Sequence, residues 1–569
     1  MIVTQWKTNH NTLLSKCLST EQSQRAGGNR CGHHRLRVVY AAMTVVLLFL
    51  SGCTGLRDWY GNGFKVGPQY CPPMAPVSDH WIDANDPHVQ SVARDYANWW
   101  TLFHDPVLDH LVQTASCQNI SLQTAGFRIL EARAQRDVAT GNLFPQQQQA
   151  NGSYQRGQIS KNAYPYNLIG PAFPGFPYSY NAWSAGVNAS WELDFWGKFR
   201  RGIEAADASL RAQIEDYDNV LVLLQAEVAT NYVQMRTYAE RLKLARQNVA
   251  LQKQSLAVVD QRFRAGLVTE VDLQQAKYNL ANTEALLPNF ETGQRQSQNR
   301  LCTLMGCPPH DLAAELGSDA TVLEAPQEVV VGIPAELLGR RPDVRRAERQ
   351  AAAQSARIGI AEADFYPQIA ITGSISYQAE NLNELFTPGS VAGMVGPGFQ
   401  WNILNYGRIK NNVRVQDARF QQAVLTYRDT VLRAYEEVED AVIAFLHEQQ
   451  RARSLDESAR AAARSTDLAM RQYERGLIYF QPLLDSQRVL VQQQDTLSES
   501  RGLVLVNLIA VYRALAGGWT ARLPQGSPTA TTEPAAPPEE LPAPGKPSPA
   551  ADAHPATEAP APPKPSAGS

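Results

Sequence analysis

From Trp183 the chain alternates strictly. Trp183, Ala185, Val187, Ala189, Trp191, Leu193 and Phe195 fall on one side of an extended strand, and Ser184, Gly186, Asn188, Ser190, Glu192 and Asp194 on the other. The same period of two returns at Ile369, Ile371, Ile375 and Tyr377 against Gln368, Thr372, Ser374, Ser376 and Gln378. It returns once more at Val395, Phe399, Trp401 and Ile403 against Gly396, Gly398, Gln400 and Asn402. A fourth and weaker run lies near Ala150–Arg156. Each run is about 10 residues long with aromatics near its ends, the length of a tilted transmembrane β-strand. On alternation alone, soluble sandwich strands would be the commoner reading; the attached helices and the N-terminal signal favour lipid. Four strands cannot close a barrel and open edges are forbidden in lipid, so the strands must be shared among copies of the chain.

After each pair of strands the period changes. Between Lys198 and Arg264 there is one glycine (Gly202) and no proline; between Arg408 and Arg475 there is neither. Helices of sixty-odd residues span roughly 95 Å, beyond any compact domain. Val424, Tyr427, Val431, Ala434, Val438, Ala441 and Phe445 keep strict a/d spacing, and so do Ile214, Tyr217, Leu221, Leu224, Val228, Asn231 and Met235, with Asn231 the polar exception. The predicted partners of these seams are return helices at Thr269–Leu287 and Pro482–Val511, the first kinked or ended by Pro288. Gly266 and Gly476 stand where a left-handed helix cap is expected.

These patterns occur twice because the chain contains itself twice. Trp191–Gly197 (WELDFWG) returns 210 residues later as Trp401–Gly407 (WNILNYG), and Phe263–Leu267 (FRAGL) as Tyr473–Leu477 (YERGL) with the same shift. Phe144-Pro145 returns as Tyr366-Pro367 with a shift of 222. The predicted fold is mainly α with a membrane β segment, built from two tandem helix–strand–strand–helix repeats at 106–318 and 319–521. A leader (1–52) and an N-terminal segment (53–105) precede them, and a Pro/Ala-rich stretch (522–569), expected to be disordered, follows.

Composition narrows the function. A net charge of −3 offers no basic surplus for nucleic acid, and a mean hydropathy of −0.32 excludes a polytopic helical membrane protein. The apolar run Val38–Leu50 is too short to span a bilayer; Arg35 and Arg37 precede it and Leu50-Ser51-Gly52-Cys53 ends it. That ending resembles a bacterial lipobox, which implies cleavage before Cys53 and acylation of its thiol, and Thr54 after the cysteine implies the outer membrane. Of seven cysteines, Cys17 and Cys31 lie in the leader and Cys53 is the lipidation candidate, leaving Cys71, Cys117, Cys302 and Cys307 in an oxidising compartment. Cys302 and Cys307 are close enough in sequence for a disulfide; a metal site is the weaker reading, since only His310 is nearby and no second ligand pair appears. No nucleophile–base arrangement or phosphate loop is present, so no enzyme, metal or cofactor is expected beyond the lipid on Cys53.

The stretch Gly339–Pro367 (GRRPDVRRAERQAAAQSARIGIAEADFYP), followed by ITGS, is similar to the TolC-type outer-membrane efflux factors, most closely their lipidated OprM/NodT branch. FRAGL, YERGL, Leu483–Arg488 (LLDSQR) and Ala514–Trp519 (ALAGGW) carry the same resemblance, which covers nearly all of Cys53–Trp519. It implies a homotrimer that pools four strands per chain into a twelve-stranded barrel, continued by an α-helical tunnel across the periplasm. The tips would meet a periplasmic membrane-fusion adaptor and, through it, an inner-membrane pump, proton-driven (RND-type) rather than ABC. Conduction would be passive, and outer-membrane lipid would surround the barrel. A type I protein-secretion duct is the alternative within this fold, and a periplasmic adaptor lipoprotein, with one hairpin instead of two, the more distant one.

By the same resemblance Asp485 matches the acidic constriction of the periplasmic gate, where three carboxylates would favour cations; the bland reading is a surface pair with Arg488. Where the branch often has a second, apolar ring, this chain offers Gln481 with Phe480 beside it. Arg264, Gly266 and Leu267 in one tip and Arg475, Gly476 and Leu477 in the other match adaptor-docking turns, while helix capping alone would also require the glycines. Pro342-Asp343 reads as a helix start with Ser121 as its counterpart, and Arg340, Arg341, Arg345 and Arg346 as packing and ion-pair residues. The insertion Tyr164–Tyr180 is placed at the extracellular mouth.

Overall fold

The computed structural model describes residues 56–76, 78, 80–90, 97–160, 162, 179–312, 323, 326, 329–330 and 339–519. The leader, the acylation candidate Cys53, most of the 164–180 insertion, the boundary between the two repeats and the C-terminal stretch lie outside these residues.

A short helix α1 (Leu56–Gly61), a two-residue strand β1 (Val89–Gln90) and a 3-10 turn (Trp99–Phe103) lead into α2 (Pro106–Gln118) and α3 (Ile120–Gly141). Strands β2 (Gln147–Gln158) and β3 (Ser179–Leu193) follow, then helices α4 (Lys198–Arg264), α5 (Glu270–Glu284) and α6 (Leu286–Leu304). After β4 (Val329–Val330), which pairs with β1, the plan repeats as α7 (Pro342–Ala363), β5 (Gln368–Ala379), β6 (Val391–Gln400), α8 (Arg408–Glu474) and α9 (Phe480–Ala514). The duplication is geometric: α3 and α7 are each 22 residues long, and α4 and α8 each 67, about 100 Å. No helix among the described residues is long and apolar enough to cross a membrane.

The four long strands form one antiparallel sheet in the order β2-β3-β5-β6. Register gathers the alternating residues onto two faces. Trp183 lies opposite Tyr154, Val187 opposite Ala150 and Ile375, Trp191 opposite Ile371, Gly373 opposite Val395, and Ile369 opposite Phe399. The other face carries Gln149, Ser153, Asn188, Ser190, Thr372, Ser374 and Ser376. The weakly alternating run near Ala150–Arg156 is the centre of the twelve-residue β2. Apolar residues on the sheet stand bare in the single chain, Val395 at 79% and Phe399 at 76% exposure, so much of the sheet's hydrophobic face is left uncovered by the described residues. At the base of the sheet Trp191 Nε1 donates to Leu143 O (3.0 Å) and its counterpart Trp401 Nε1 to Phe365 O (2.9 Å), the same lock in both repeats.

The helical seams bury as their spacing predicts at Leu221, Leu224, Val228 and Met235 on α4, and at Val431, Ala434, Val438 and Phe445 on α8, whereas Ile214, Tyr217 and Tyr427 are only half-buried and Ala212, Glu215 and Asp218 take the buried positions near the start of α4. Asn231 satisfies its amide on Glu227 O. Their partners go beyond the return helices. A 35-residue return helix such as α9 reaches only about half of a 67-residue helix, and the other half packs on α7 or α3. The first return helix breaks at Ala285 instead of ending at Leu287, because the ring of Pro288 clashes with the carbonyl four residues back; it resumes as α6 to Leu304. The cap of α3 is Asn119 rather than Ser121. Its Oδ1 accepts from Leu122 N (2.9 Å) while its Nδ2 donates to Leu304 O, so one side chain starts α3 and ties it to the end of α6. α7 starts with Pro342 at its first position and no side-chain cap at Arg341.

α7 is wedged between α4 and α8 and buries Val344, Ala347, Ala351 and Ile358, whereas α3 packs chiefly on α4 and leaves Ile120, Phe127, Leu130 and Val138 exposed. The arginines before and within α7 are ties: Arg341 reaches Asp343 (2.8 Å), Glu437 (2.7 Å) and Ala514 O (2.6 Å), Arg345 reaches Glu215, and Arg346 pairs with Asp216. Arg340 is exposed. Cys302 and Cys307 form no disulfide, because the turn between them points the Cys307 thiol at Cys302 O (3.3 Å).

Candidate functional site

Both long helices end in the same way. Gly266 (φ 72°) and Gly476 (φ 77°) adopt the left-handed conformation, Gly266 N bonds to Phe263 O and Leu267 N to Arg262 O, and Gly476 N to Tyr473 O and Leu477 N to Gln472 O. A Cβ at either glycine would meet open space, so the backbone angle and not crowding demands glycine. In such a turn the residue after the glycine commonly packs back on the helix; here Leu267 (74% exposed) and Leu477 (69%) point outward instead. Arg264 is exposed and pairs with Asp260 (2.7 Å), and Arg475 is exposed beside Gly476. The tips thus present two parallel sets of Arg, Gly and Leu to solvent.

A small core holds the tips together: Val259 from α4, Leu273 and Ala276 from α5, Tyr473 from α8, and Phe480, Leu483 and Leu484 from α9. Arg262 spans the gap between the hairpins. Its guanidinium lies over the Tyr473 ring (4.3 Å) and donates to Tyr473 O (2.6 Å) and Glu474 O (3.2 Å), so a cation from α4 caps the carbonyl end of α8. Burial, opposed by the Arg262 charge, pushes the Tyr473 hydroxyl pKa up. Sequence reasoning missed Arg262; the available signal was an arginine in the last turn of a helix directly before a glycine tip.

The predicted gate residues separate into two groups. Gln481 and Asp485 share one exposed stripe of α9, and Gln481 Nε2 donates to both carboxylate oxygens of Asp485 (3.1 and 3.2 Å). Phe480 turns the other way, is buried, and packs against Tyr473 (5.6 Å between rings), so it belongs to the tip core and not to an exposed constriction; the exposed aromatic beside the pair is Tyr479. The pairing of Asp485 with Arg488 is weak, 4.0 Å between two exposed groups. Arg488 is directed across to α5, over the Tyr278 ring (5.6 Å) and to Asn279 Oδ1 (3.4 Å). Asp485 therefore faces away from the hairpin core and, among the described residues, has only a neutral amide closely bonded to it.

Duplicated hairpins of this length, a sheet that is bare on its apolar face, and matched exposed tips define a channel-forming class of outer-membrane protein. The family model described as "Outer membrane efflux protein" matches residues 111–307 and 333–517. The chain belongs to that family. It is 30% identical over 462 residues to nodulation protein T of Rhizobium leguminosarum bv. trifolii, covering 80% of this chain and 92% of the relative. It is 30% identical over 437 residues to the pyoverdine export outer membrane protein OpmQ of Pseudomonas aeruginosa, covering 76% and 89%. Among solved structures it is similar to the outer-membrane channel OprN, with a TM-score of 0.73 at 30% identity over 80% of this chain and 99% of that one. The chain is an outer-membrane efflux channel of a Gram-negative bacterium.

Proposed function

We propose that three copies of this chain form the exit duct of a tripartite efflux complex for small molecules. The copies pool their strands into a twelve-stranded barrel and their long helices into a periplasmic tunnel. The tips at Arg264–Leu267 and Arg475–Leu477 dock a membrane-fusion adaptor that joins the duct to a proton-driven inner-membrane pump. An acyl chain on Cys53 anchors the N-terminal segment in the outer membrane. Export of pyoverdine by one relative favours small molecules over folded protein as cargo.

The observation that carries this reading is the unequal surroundings of the two repeats. Within one chain α7 lies between α4 and α8, and β5 lies between β3 and β6. α3 has α4 but no second long helix, and β2 has β3 but no second strand beside it among the described residues. A neighbouring copy offering its α8 to α3 and its β6 to β2 reproduces the internal arrangement, and repeating that contact closes a ring. It also covers the exposed Phe127 and Leu130 of α3 and gives Leu425 and Leu432 of α8 a partner.

On this reading three Asp485 carboxylates, each bonded by Gln481, surround the narrow periplasmic end. A ring of like charges repels anions and holds cations, and its side chains set the bore. Asp485→Ala is expected to raise single-channel conductance in planar bilayers and to sensitise cells to large antibiotics at equal surface level. Unchanged conductance and sensitivity would contradict the gate assignment.

A further inference from the structure

The end of α6 folds three metal-binding side chains onto one point. Gly306 sits in the left-handed region (φ 76°), and Cys307 N closes back on Cys302 O (3.0 Å). Space as well as backbone angle fixes this turn, since a Cβ on Gly306 would meet Gln118 O at 2.5 Å. Pro308 and Pro309 then return the chain so that His310 Nδ1 lies 3.7 Å from Cys302 Sγ and 3.9 Å from Cys307 Sγ. All three donor atoms fall within 4.8 Å of one another. Zinc–sulfur bonds of about 2.3 Å and zinc–nitrogen bonds of about 2.0 Å at tetrahedral angles place sulfur and nitrogen roughly 3.5 Å apart, so each sulfur–nitrogen distance need close by only a few tenths of an ångström.

We propose that Cys302, Cys307 and His310 bind a zinc ion, with water as the fourth ligand. Cys302 is wholly buried, Cys307 half-buried and His310 exposed, which leaves a solvent side for entry and for the water. On binding, the two thiols release two protons, and two thiolates and a neutral imidazole replace three waters of the hydrated ion. His310 must take the Nε2–H tautomer, giving up the Nδ1 contact to Pro308 O (3.0 Å), and Cys307 gives up its contact to Cys302 O. Because protons compete with the metal, affinity falls as pH falls. The ion would staple the turn at which α6 meets the start of α3, where Asn119 already holds Leu304 O (2.8 Å) and Leu301, Leu304 and Met305 join the core with Leu108 and Leu111.

The test uses the full-length protein in mild detergent after reduction, with cobalt(II) as a spectroscopic probe and zinc(II) as competitor. The expected result is one cobalt per chain with thiolate-to-metal charge-transfer absorption and tetrahedral ligand-field bands, both abolished by zinc. Cys302→Ser/Cys307→Ser should lose the signal, and His310→Ala, a change at an exposed side chain, should weaken cobalt binding at least 10-fold. Zinc should raise the unfolding midpoint of the wild type and not of the double variant. Equal absorption in wild type and the double variant would assign the signal to the exposed Cys71 and Cys117 and overturn the proposal. A Cys302–Cys307 disulfide in protein thiol-blocked at the moment of membrane extraction would overturn it as well, since no thiolate would remain for the metal.

Discussion

At Gly476 a Cβ would meet open space, yet the residue sits at φ 77°, where an L side chain costs about 1–2 kcal/mol. A β-branched substitution there changes the direction of the tip without removing any buried contact. Gly476→Val is therefore expected to abolish export while the trimer still assembles; loss of the trimer in step with export would leave only a capping role. Glu204 illustrates the other kind of residue, one that ties chain segments together. It receives Lys65 from the N-terminal segment and Arg201 Nη1 (2.7 Å) from its own helix, while Arg201 also holds Val66 O and Gly67 O. Burial alone would raise its carboxyl, but the bonds and charges of Lys65 and Arg201 outweigh it and hold the pKa below the ordinary range. A depressed carboxylate contributes stability that is present above the unfolded value, about 4.3, and is lost as pH falls through the folded one. Glu204→Gln should lower stability at neutral pH by roughly 0.5–1 kcal/mol, a small figure because the group is about one-third exposed. The deficit should close below about pH 4 in thermal unfolding of the solubilised protein. A deficit independent of pH would show that shape and not charge is at work.

Among the elements, α3 is the sharpest test of assembly. Ile120, Phe127, Leu130 and Val138 follow a helical stripe that has no partner among the described residues, whereas the matching helix α7 is wedged between two long helices. Covering a phenylalanine is worth about 1.5–3 kcal/mol, and a ring closes three such contacts. Phe127→Glu is expected to eliminate the detergent-resistant trimer, while Tyr479→Glu, more exposed still but at the tip, leaves it intact; a normal trimer from Phe127→Glu would place the contact elsewhere. The elements themselves were legible because each has a physical period. Two-residue alternation placed three strands and the face of each, heptads placed the seams of α4 and α8, and glycines marked both tips. What stayed hidden depends on distant residues brought together. Asn119 outcompetes Ser121 as a cap because it also reaches Leu304, and the second partner of each long helix follows from unequal helix lengths rather than from local pattern. At the gate, the i,i+4 spacing of Gln481 and Asp485 put them on one stripe, but the inward turn of Phe480 depends on Tyr473, which comes from the other side of the tip. The triad Cys302, Cys307 and His310 looked incomplete as a sequence motif; the turn at Gly306 is what converges it.

At the scale of the whole molecule, an exit duct requires the tips to be docking surfaces of the assembled trimer and not merely capped helix ends. Outward Leu267 and Leu477, paired with exposed Arg264 and Arg475, occur at the same turn of both repeats, so six such surfaces would be presented by three chains. The most direct measurement is crosslinking in intact cells from photoreactive residues at positions 264 and 475, followed by identification of what is captured. The expected capture is a periplasmic adaptor together with a proton-driven inner-membrane pump, from both positions, in a correctly localised trimer. An ABC exporter in place of that pump would redirect the cargo assignment to protein secretion. Capture of no adaptor by a folded, correctly localised trimer would show that the tips are capped helix ends and not docking surfaces.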